Sequence, residues 1–263
     1  MPVIPRTFAR MGDHQILYQD QDEYGPIFIA DTGTQRILAF AGGDEQSRCL
    51  KSAPHVPQLE YIQAMLLVLL FLQPKRALLL GLGGGSLMTA LHHLLPSVRI
   101  TAVELRERVI ELAYQYFQLP RGKRLNVIHQ NATDFLGGDH PHRYDVIFAD
   151  LYQSEGVDPA QLQSRFIGHC VRRLKDDGWL VLNGWSEHRE NAAFIQTLKE
   201  HFVDLRAVLT GSHNWVILAG RTSDTQSQNA LKARAFRLST SLGFPLTRHL
   251  ARLRSLTTPT QPW

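Results

Sequence analysis

The sequence predicts an α/β fold in which a mixed, mostly parallel and doubly wound sheet carries a small N-terminal antiparallel β appendage. From residue 77 onward, short apolar runs alternate with helical patterns, which is typical of a parallel sheet. The first of these runs breaks into the glycine-rich segment 81–85, and Glu104 ends the next run 19 residues later. A buried strand, a glycine turn, a helix start and an acid at the next strand end form the nucleoside-binding layout of such sheets.

Composition restricts the class of protein. The chain has 263 residues, of which 44% are hydrophobic and 20% charged, as expected of a soluble globular protein with one large domain and a smaller region. No apolar run reaches the roughly 18 residues of a membrane helix, and the N-terminus has no signal-peptide pattern. Two cysteines are too few for a disulfide framework, and no His/Cys cluster has zinc-site spacing. We therefore expect a cytoplasmic protein without a membrane segment or a bound metal.

The first region, residues 1–58, is predicted to be an N-terminal β-hairpin region followed by a loop. Its β-like runs lie at 14–19, 27–30 and 36–40. The sequence Asp-Thr-Gly-Thr between the last two runs is a hairpin turn signal. Residues 42–58 contain two glycines, two prolines and mixed charges, which favour a loop.

The second region, residues 59–220, is predicted to be a Rossmann-like catalytic domain that binds a nucleoside. It opens with a helix at 59–72, which Pro74 ends. Strands are predicted at 77–80, 100–104, 125–129, 144–150 and 179–183, and helices at 86–95, 106–117, 159–174 and 187–202. The runs 204–209 and 214–219 flank a turn and add an antiparallel edge, which resembles the class I methyltransferase version of the Rossmann fold.

The third region, residues 221–263, is predicted to be a basic C-terminal helical tail. It contains seven Lys and Arg residues and one acid, so the rest of the chain is slightly acidic although the net charge is +4. Such a basic segment binds a nucleic acid, binds an anionic surface, or forms the solvated face of terminal helices. We favour the solvated face, because no single element interleaves aromatic and basic residues as nucleic-acid platforms do.

The predicted site lies at the carboxyl ends of the strands, where doubly wound sheets bind their ligands. The residues predicted to bind the nucleoside there are Gly81, Gly83, Gly84, Gly85, Glu104, Asn131 and Ala132. The glycines bring backbone close to the ligand, and Glu104 accepts hydrogen bonds from ribose hydroxyls. Asn131 either reads the edge of an adenine ring or caps the helical turn that follows it, and the sequence leaves both roles open.

Asp150 is the most informative acid. It follows the almost wholly apolar run 144–149 and should lie where the buried strand meets the open cleft. Burial raises the pKa of a carboxyl group, so Asp150 is predicted to accept a proton near neutral pH. Glu155 and Asp158 follow in a glycine-containing loop that is able to fold over the cleft.

Together these segments resemble the spermidine synthase-like family, the polyamine aminopropyltransferases, and the chain looks like a divergent member of it. The likeness covers about residues 14–220 and includes the β-rich appendage and the helix near Tyr61. Its motifs are Pro-Lys-Arg-Ala-Leu-Leu-Leu-Gly-Leu-Gly-Gly-Gly at 74–85, Val-Glu at 103–104, Tyr-Asp-Val-Ile-Phe-Ala-Asp at 144–150 and Asp-Gly-Trp-Leu-Val-Leu-Asn at 177–183.

The resemblance implies aminopropyl transfer from decarboxylated S-adenosylmethionine to a diamine or polyamine. Asp150 falls on the family's catalytic aspartate, which makes it the general base, and Glu104 falls on the ribose-binding acid. Tyr61 and Tyr152 are implied as further catalytic residues, and Gln46, Tyr61 and Asp150 as residues on the amine side. The resemblance also implies a homodimer, with the nucleoside as a co-substrate and no tightly bound cofactor.

The chain departs from the family pattern at several acids. Gly84 stands where the family has an aspartate that holds the aminopropyl ammonium, Asn131 replaces an adenine-contacting aspartate, and Gln153 replaces a second acid. Ile62 and Gln63 replace the His-Glu pair that follows the family's tyrosine. One charged contact is worth about 1.5–3 kcal/mol, so ordinary S-adenosylmethionine becomes an alternative co-substrate. The sequence therefore leaves three interpretations: an aminopropyltransferase, an S-adenosylmethionine-dependent methyltransferase, and a non-catalytic nucleoside-binding member of the same fold.

Overall fold

The computed structural model describes residues 14–40, 45–139, 141–153 and 156–256. The N-terminal part forms a four-stranded antiparallel sheet in the order β1-β2-β3-β4. Its strands are β1 (Gln15–Asp22), β2 (Gly25–Asp31), β3 (Gln35–Ala39) and β4 (Glu45–Leu50). The first three confirm the predicted strands.

The fourth strand corrects the predicted loop over residues 42–58. Strand β4 pairs with β3, and Ser47 and Cys49 point inward while their neighbours are half-buried. The sequence Glu-Gln-Ser-Arg-Cys-Leu alternates small inward residues with polar outward ones, so it lacks the apolar alternation by which strands are recognised. The loop prediction was therefore wrong for Glu45–Leu50.

The main sheet has eight strands in the order β14-β12-β13-β11-β8-β5-β6-β7. Strands β5 to β8 and β11 pair in parallel, whereas β12, β13 and β14 form an antiparallel edge. The remaining strands of the chain are β5 (Arg76–Leu80), β6 (Arg99–Glu104), β7 (Leu125–His129), β8 (Tyr144–Ala149), β9 (Tyr152–Gln153), β10 (Gly156–Val157), β11 (Leu174–Trp185), β12 (Asp204–Leu209), β13 (Asn214–Gly220) and β14 (Arg254–Ser255). The predicted mixed, doubly wound sheet with an N-terminal antiparallel appendage is confirmed.

Helices cover both faces of this sheet. They are α1 (Glu60–Met65), α2 (Ser86–Leu94), α3 (Glu107–Tyr116), α4 (Ala132–Gly137), α5 (Ser164–Arg173), α6 (Ala192–His201), α7 (Gln228–Leu242) and α8 (Leu246–Arg252). Among the described residues, 3-10 segments accompany them at Leu66–Leu70, Pro159–Leu162 and Ser186–Glu190. Within the described ranges no helix has both the length and the apolar content that crossing a bilayer requires.

Three predicted helices are interrupted. The helix predicted at 187–202 begins as a 3-10 segment at Ser186–Glu190, and Asn191 then caps α6. The helix predicted at 59–72 changes to a 3-10 segment at Leu66–Leu70, where all five side chains are buried, so packing from every side replaces an amphipathic pattern. The helix predicted at 159–174 divides in two, because Asp158 caps a short 3-10 turn and Gln163 then returns to an extended conformation before α5.

The core lies on the two faces of the main sheet. Along β5, Ala77 and Leu79 pack on one face, and Leu78 and Leu80 on the other, as strand geometry requires. The first face is covered by α1, the Leu66–Leu70 segment, α2, α7 and α8, and the second by α4, α5 and α6. The C-terminal helices therefore contribute buried side chains to the main core.

Candidate active site

A cavity of about 560 Å³ opens at the carboxyl ends of β5, β6 and β8, a volume typical of small-molecule sites. Strand β5 lies between β6 and β8, so the connections diverge there and leave the crevice in which such sheets bind ligands. The N-terminal sheet and its turns contribute Glu23, Tyr24, Phe40, Gln46 and Ser47 to the lining. The main domain contributes, among others, Tyr61, Gly81, Gly83, Glu104, Leu105, Arg106, Asn131, Asp150, Leu151, Tyr152 and Asp158.

The glycine turn after β5 forms the floor of the cavity at Gly81 and Gly83. Gly81 has a φ of +92°, and a Cβ there would lie 2.3 Å from the carbonyl oxygen of Asp150. Only glycine combines this backbone conformation with such a close approach. Gly85 precedes α2 as its N-terminal cap, and neither Gly84 nor Gly85 lines the cavity.

Gly84 is enclosed by protein. Its N–H donates to Ser47 Oγ at 2.8 Å. A Cβ at this position would lie 2.8 Å from Phe117 Cδ1 and 2.9 Å from Ser47 Cβ. Strand β4 and the end of α3 thus occupy the space that a side chain at residue 84 would need.

Glu104, at the end of β6, holds the glycine turn that follows β5. Its Oε2 accepts hydrogen bonds from Leu82 N at 2.9 Å and Gly83 N at 3.4 Å, and its Oε1 accepts one from Arg106 N at 3.0 Å. The residue is 9% exposed and faces the cavity. Because a carboxylate offers about four acceptor positions, capacity remains for a ligand hydroxyl after the turn has been fixed.

Asn131 acts as a helix cap. Its Oδ1 accepts from Thr133 N at 2.8 Å and Asp134 N at 3.3 Å at the start of α4. The structure thus supports the capping alternative, while Asn131 also lines the cavity. Contact with an adenine stays a prediction, and Ala132 is buried beside the cap without lining the cavity.

Asp150 lies directly after β8, half-buried at the wall of the cavity. Burial raises the pKa of Asp150 to about 6, against hydrogen bonds from Asn183 and Tyr61 that lower it. The Asn183 Nδ2–H group donates to Asp150 Oδ1 at 2.8 Å. The pKa of the Tyr61 hydroxyl is well above its ordinary value, first because of burial and then because of the nearby Asp150 carboxylate.

A buried polar network supports Asp150 from behind. Asn183 is 0% exposed, and its Oδ1 accepts from Asn214 Nδ2 at 3.2 Å. The Asn214 amide also donates to the Tyr152 hydroxyl at 3.1 Å, and Gln161 Nε2 donates to the Asn183 carbonyl oxygen at 2.7 Å. The structure thus brings Tyr61, Tyr152 and Asp150 to one wall, where burial also raises the pKa of Tyr152.

No role was predicted for the supporting residues Gln161, Asn183 and Asn214. A signal existed for Asn183, because it is the polar residue that ends the apolar run Trp-Leu-Val-Leu-Asn. No local pattern marks Gln161 or Asn214, which reach the site from distant elements. Gln46 was predicted on the amine side and does line the cavity, but from the strand that the prediction treated as loop.

Arg106, which is 6% exposed, connects the N-terminal sheet to the main domain beside the cavity. Its Nη2 donates to Asp22 Oδ1 and to the Gly25 carbonyl oxygen, both at 2.7 Å. Its guanidinium also lies 4.3 Å from the ring centre of Phe40. Of the two acids predicted in the covering loop, Asp158 lines the cavity, whereas Glu155 lies outside the described residues.

Among the residues that the structure describes, no three His, Cys, Asp or Glu side chains form a group that would hold a metal ion.

Comparisons with known proteins agree with this architecture. The family described as the spermine/spermidine synthase domain matches residues 53–209. The polyamine aminopropyltransferase of Neisseria meningitidis serogroup A is 31% identical over 235 residues, which cover 87% of this chain and 89% of that protein. The crystal structure of a probable spermidine synthase from Corynebacterium glutamicum aligns with a TM-score of 0.73 and 19% identity, over 88% of this chain and 89% of its own.

A shorter stretch of the chain is similar to another class of transferase. Over 117 residues the chain is 47% identical to the eEF1A lysine and N-terminal methyltransferase homolog of Drosophila melanogaster, covering 41% of this chain and 17% of that protein. The family match and the aminopropyltransferase similarity, in contrast, extend over most of the chain. The chain therefore belongs to the spermine/spermidine synthase family.

Proposed function

We propose that this protein transfers an aminopropyl group from decarboxylated S-adenosylmethionine to a diamine or polyamine, with Asp150 as the general base. One observation carries the proposal. Asp150, Tyr61 and Tyr152 share one wall of a cavity whose floor is the glycine turn held by Glu104. A nucleoside lying over the turn, with its ribose at Glu104, would present its sulfonium end toward Asp150.

The charges around the cavity suit a cationic ligand. Its lining contains the carboxylates of Glu23, Glu104, Asp150 and Asp158. Among the lining residues that the structure describes, the basic side chain is that of Arg106, and Asp22 already pairs with it. A sulfonium nucleoside and an alkylammonium acceptor are both cations, so an excess of acids favours the pair.

The proposed step is an in-line displacement. The acceptor, bound as an ammonium, loses a proton to Asp150, and the lone pair that this frees attacks the carbon beside the sulfonium. The new N–C bond forms as the C–S bond breaks, and the electron pair stays on sulfur to give neutral methylthioadenosine. The protein contributes proximity and proton removal. The Tyr61 hydroxyl and the Asn183 amide both donate hydrogen bonds to the Asp150 carboxylate and so orient it.

Methyl transfer from S-adenosylmethionine is the second candidate, and a specific observation favours it. Position 84 holds no acid, and its surroundings leave no space for one. The protein therefore has no carboxylate at this position that would select a nucleoside with an ammonium tail over one with an amino-acid tail. The similarity to a methyltransferase homolog over 117 residues supports the same candidate.

Product analysis separates these candidates. We expect purified protein with putrescine and decarboxylated S-adenosylmethionine to release methylthioadenosine, and the release to stop when putrescine is omitted. The same protein with S-adenosylmethionine should form no S-adenosylhomocysteine. Formation of S-adenosylhomocysteine alone would replace the first proposal with the second. Absence of both products, with retained nucleoside binding, would identify a non-catalytic member of the fold.

The wider setting is also a proposal. The family resemblance supports a homodimer, and the composition supports a cytoplasmic protein. We also propose that the chain divides at 58/59 and 220/221 into appendage, catalytic domain and basic tail.

A further inference from the structure

We propose that Glu60 and Arg252 are positioning residues, which hold helix α1 so that Tyr61 faces Asp150. This inference rests on the proposed role of Asp150. It gives the basic tail, residues 221–256 of the described chain, a function that its charge alone did not reveal. Arg252 lies outside the segment 53–209 that matches the family.

The carboxylate of Glu60 connects three elements. Its Oε1 accepts a hydrogen bond from Arg252 Nη1 at 2.7 Å, and Arg248 Nη2 lies 3.6 Å from the same oxygen. Its Oε2 accepts from the Gly211 N–H in the turn between β12 and β13, at 2.8 Å. The first turn of α1 is thereby tied to α8 and to the edge of the main sheet.

A second contact one turn further along fixes the rotation of α1. Gln63 Oε1 lies 3.1 Å from His249 Nε2, and Gln63 Nε2 donates to the Pro57 carbonyl oxygen at 2.7 Å. His249 is 1% exposed, and burial lowers its pKa to about 4, so the imidazole is neutral near pH 7. Leu59, at the helix start, supplies no side-chain cap, which leaves Glu60 and Gln63 as the polar anchors of α1.

The Tyr61 side of the Asp150 carboxylate depends on these anchors. Tyr61, which donates to the carboxylate, directly follows Glu60 in α1. The other donor to the carboxylate, Asn183, lies on β11 and is held separately by Asn214. The Glu60–Arg252 ion pair thus controls the placement of Tyr61, one of the two hydrogen-bond donors of the base.

This role differs from general stabilisation. Arg252 is 40% exposed, and exposed ion pairs add little to the free energy of unfolding. Tyr61, Asn183, Tyr152 and Glu104 are the polar and charged neighbours that determine the pKa of Asp150 or respond to it. A displaced α1 changes the first of these and leaves the others in place, so the effect should appear at Asp150 and not in global stability.

The test compares Arg252→Met with Tyr61→Phe and with the double variant. Loss of the Tyr61 hydrogen bond should raise the pKa of Asp150, because a donor to a carboxylate favours its charged form. We expect Arg252→Met to shift the Asp150 titration, followed by ¹³C-carboxyl NMR, in the same direction and to lower kcat by about tenfold. It should add nothing in the Tyr61→Phe background, and Arg252→Lys should restore most of the wild-type behaviour.

Arg254→Met is the matched control, because Arg254 is an exposed tail arginine that donates to the backbone carbonyls of Ala251 and Leu253. It removes the same charge and should leave the titration unchanged. Equal shifts in Arg254→Met and Arg252→Met, an unchanged Asp150 in Arg252→Met, or additive effects with Tyr61→Phe would each overturn the positioning role. The NMR titration needs no turnover, so a failure of the proposed reaction is distinguishable from a failure of this inference.

Discussion

Replacing Asp150 with asparagine is expected to lower kcat by about 10²–10⁴-fold, with nucleoside affinity nearly unchanged. Asparagine has the same shape but has no basic carboxylate to take the proton of the attacking amine. Glu104 and the glycine turn, the proposed contacts of the nucleoside, are not altered. Single-turnover kinetics and calorimetric titration with methylthioadenosine measure the two quantities separately.

The pH dependence of the wild-type protein, compared with that of Asp150→Asn, is the control for this substitution. Burial raises the pKa of Asp150 to about 6, and the base works only in its deprotonated form. Activity should therefore be full above this value and fall as the pH drops through it. The residual rate of Asp150→Asn should lack that acidic limb. Turnover of Asp150→Asn close to the wild-type rate would remove Asp150 from the mechanism.

Gly81→Ala is expected to lower the free energy of unfolding by about 2–5 kcal/mol. Alanine disfavours the φ of +92° at this position, and its Cβ would lie 2.3 Å from the Asp150 carbonyl oxygen. That oxygen belongs to backbone and cannot rotate away, so β5 and the residue after β8 must separate. Denaturant unfolding measures the loss, and the activity of the remaining folded protein should fall because Asp150 moves.

Gly33→Ala is the matched variant for this prediction. Gly33 has a similar φ of +86°, yet a Cβ there meets nothing within 4 Å. Gly33→Ala should lower the free energy of unfolding only by the cost of the left-handed backbone conformation, about 1–2 kcal/mol. Equal losses in the two variants would show that the close approach of Gly81 to Asp150 has no energetic consequence.

The parts of the fold that the sequence predicted are those with local signals. Strand β5 is an apolar run that ends in glycines, and the buried strand β8 ends at Asp150. Both patterns follow from burial on two faces and need no knowledge of distant residues. The spacing from the glycine turn to Glu104 is local as well, and in the structure Gly81, Gly83 and Glu104 line one cavity.

The remaining features depend on contacts between distant segments. Strand β4 carries polar residues, and its pairing with β3 and its packing at Gly84 show only in three dimensions. Asn214 and Gln161 join Asn183 across the sheet without any shared motif. The tail was recognised as basic and helical, but its ion pair with Glu60 joins residues 192 positions apart. Such pairings are determined by tertiary packing, which periodicity does not encode.

A structure with methylthioadenosine bound tests the central claim most directly, because this ligand is the product of the proposed displacement. We expect its ribose hydroxyls at Glu104, its ring near Leu105 and Asn131, and its sulfur on the side of Asp150. A nucleoside bound outside this cavity, or one whose sulfur points away from the Asp150 carboxylate, would contradict the account.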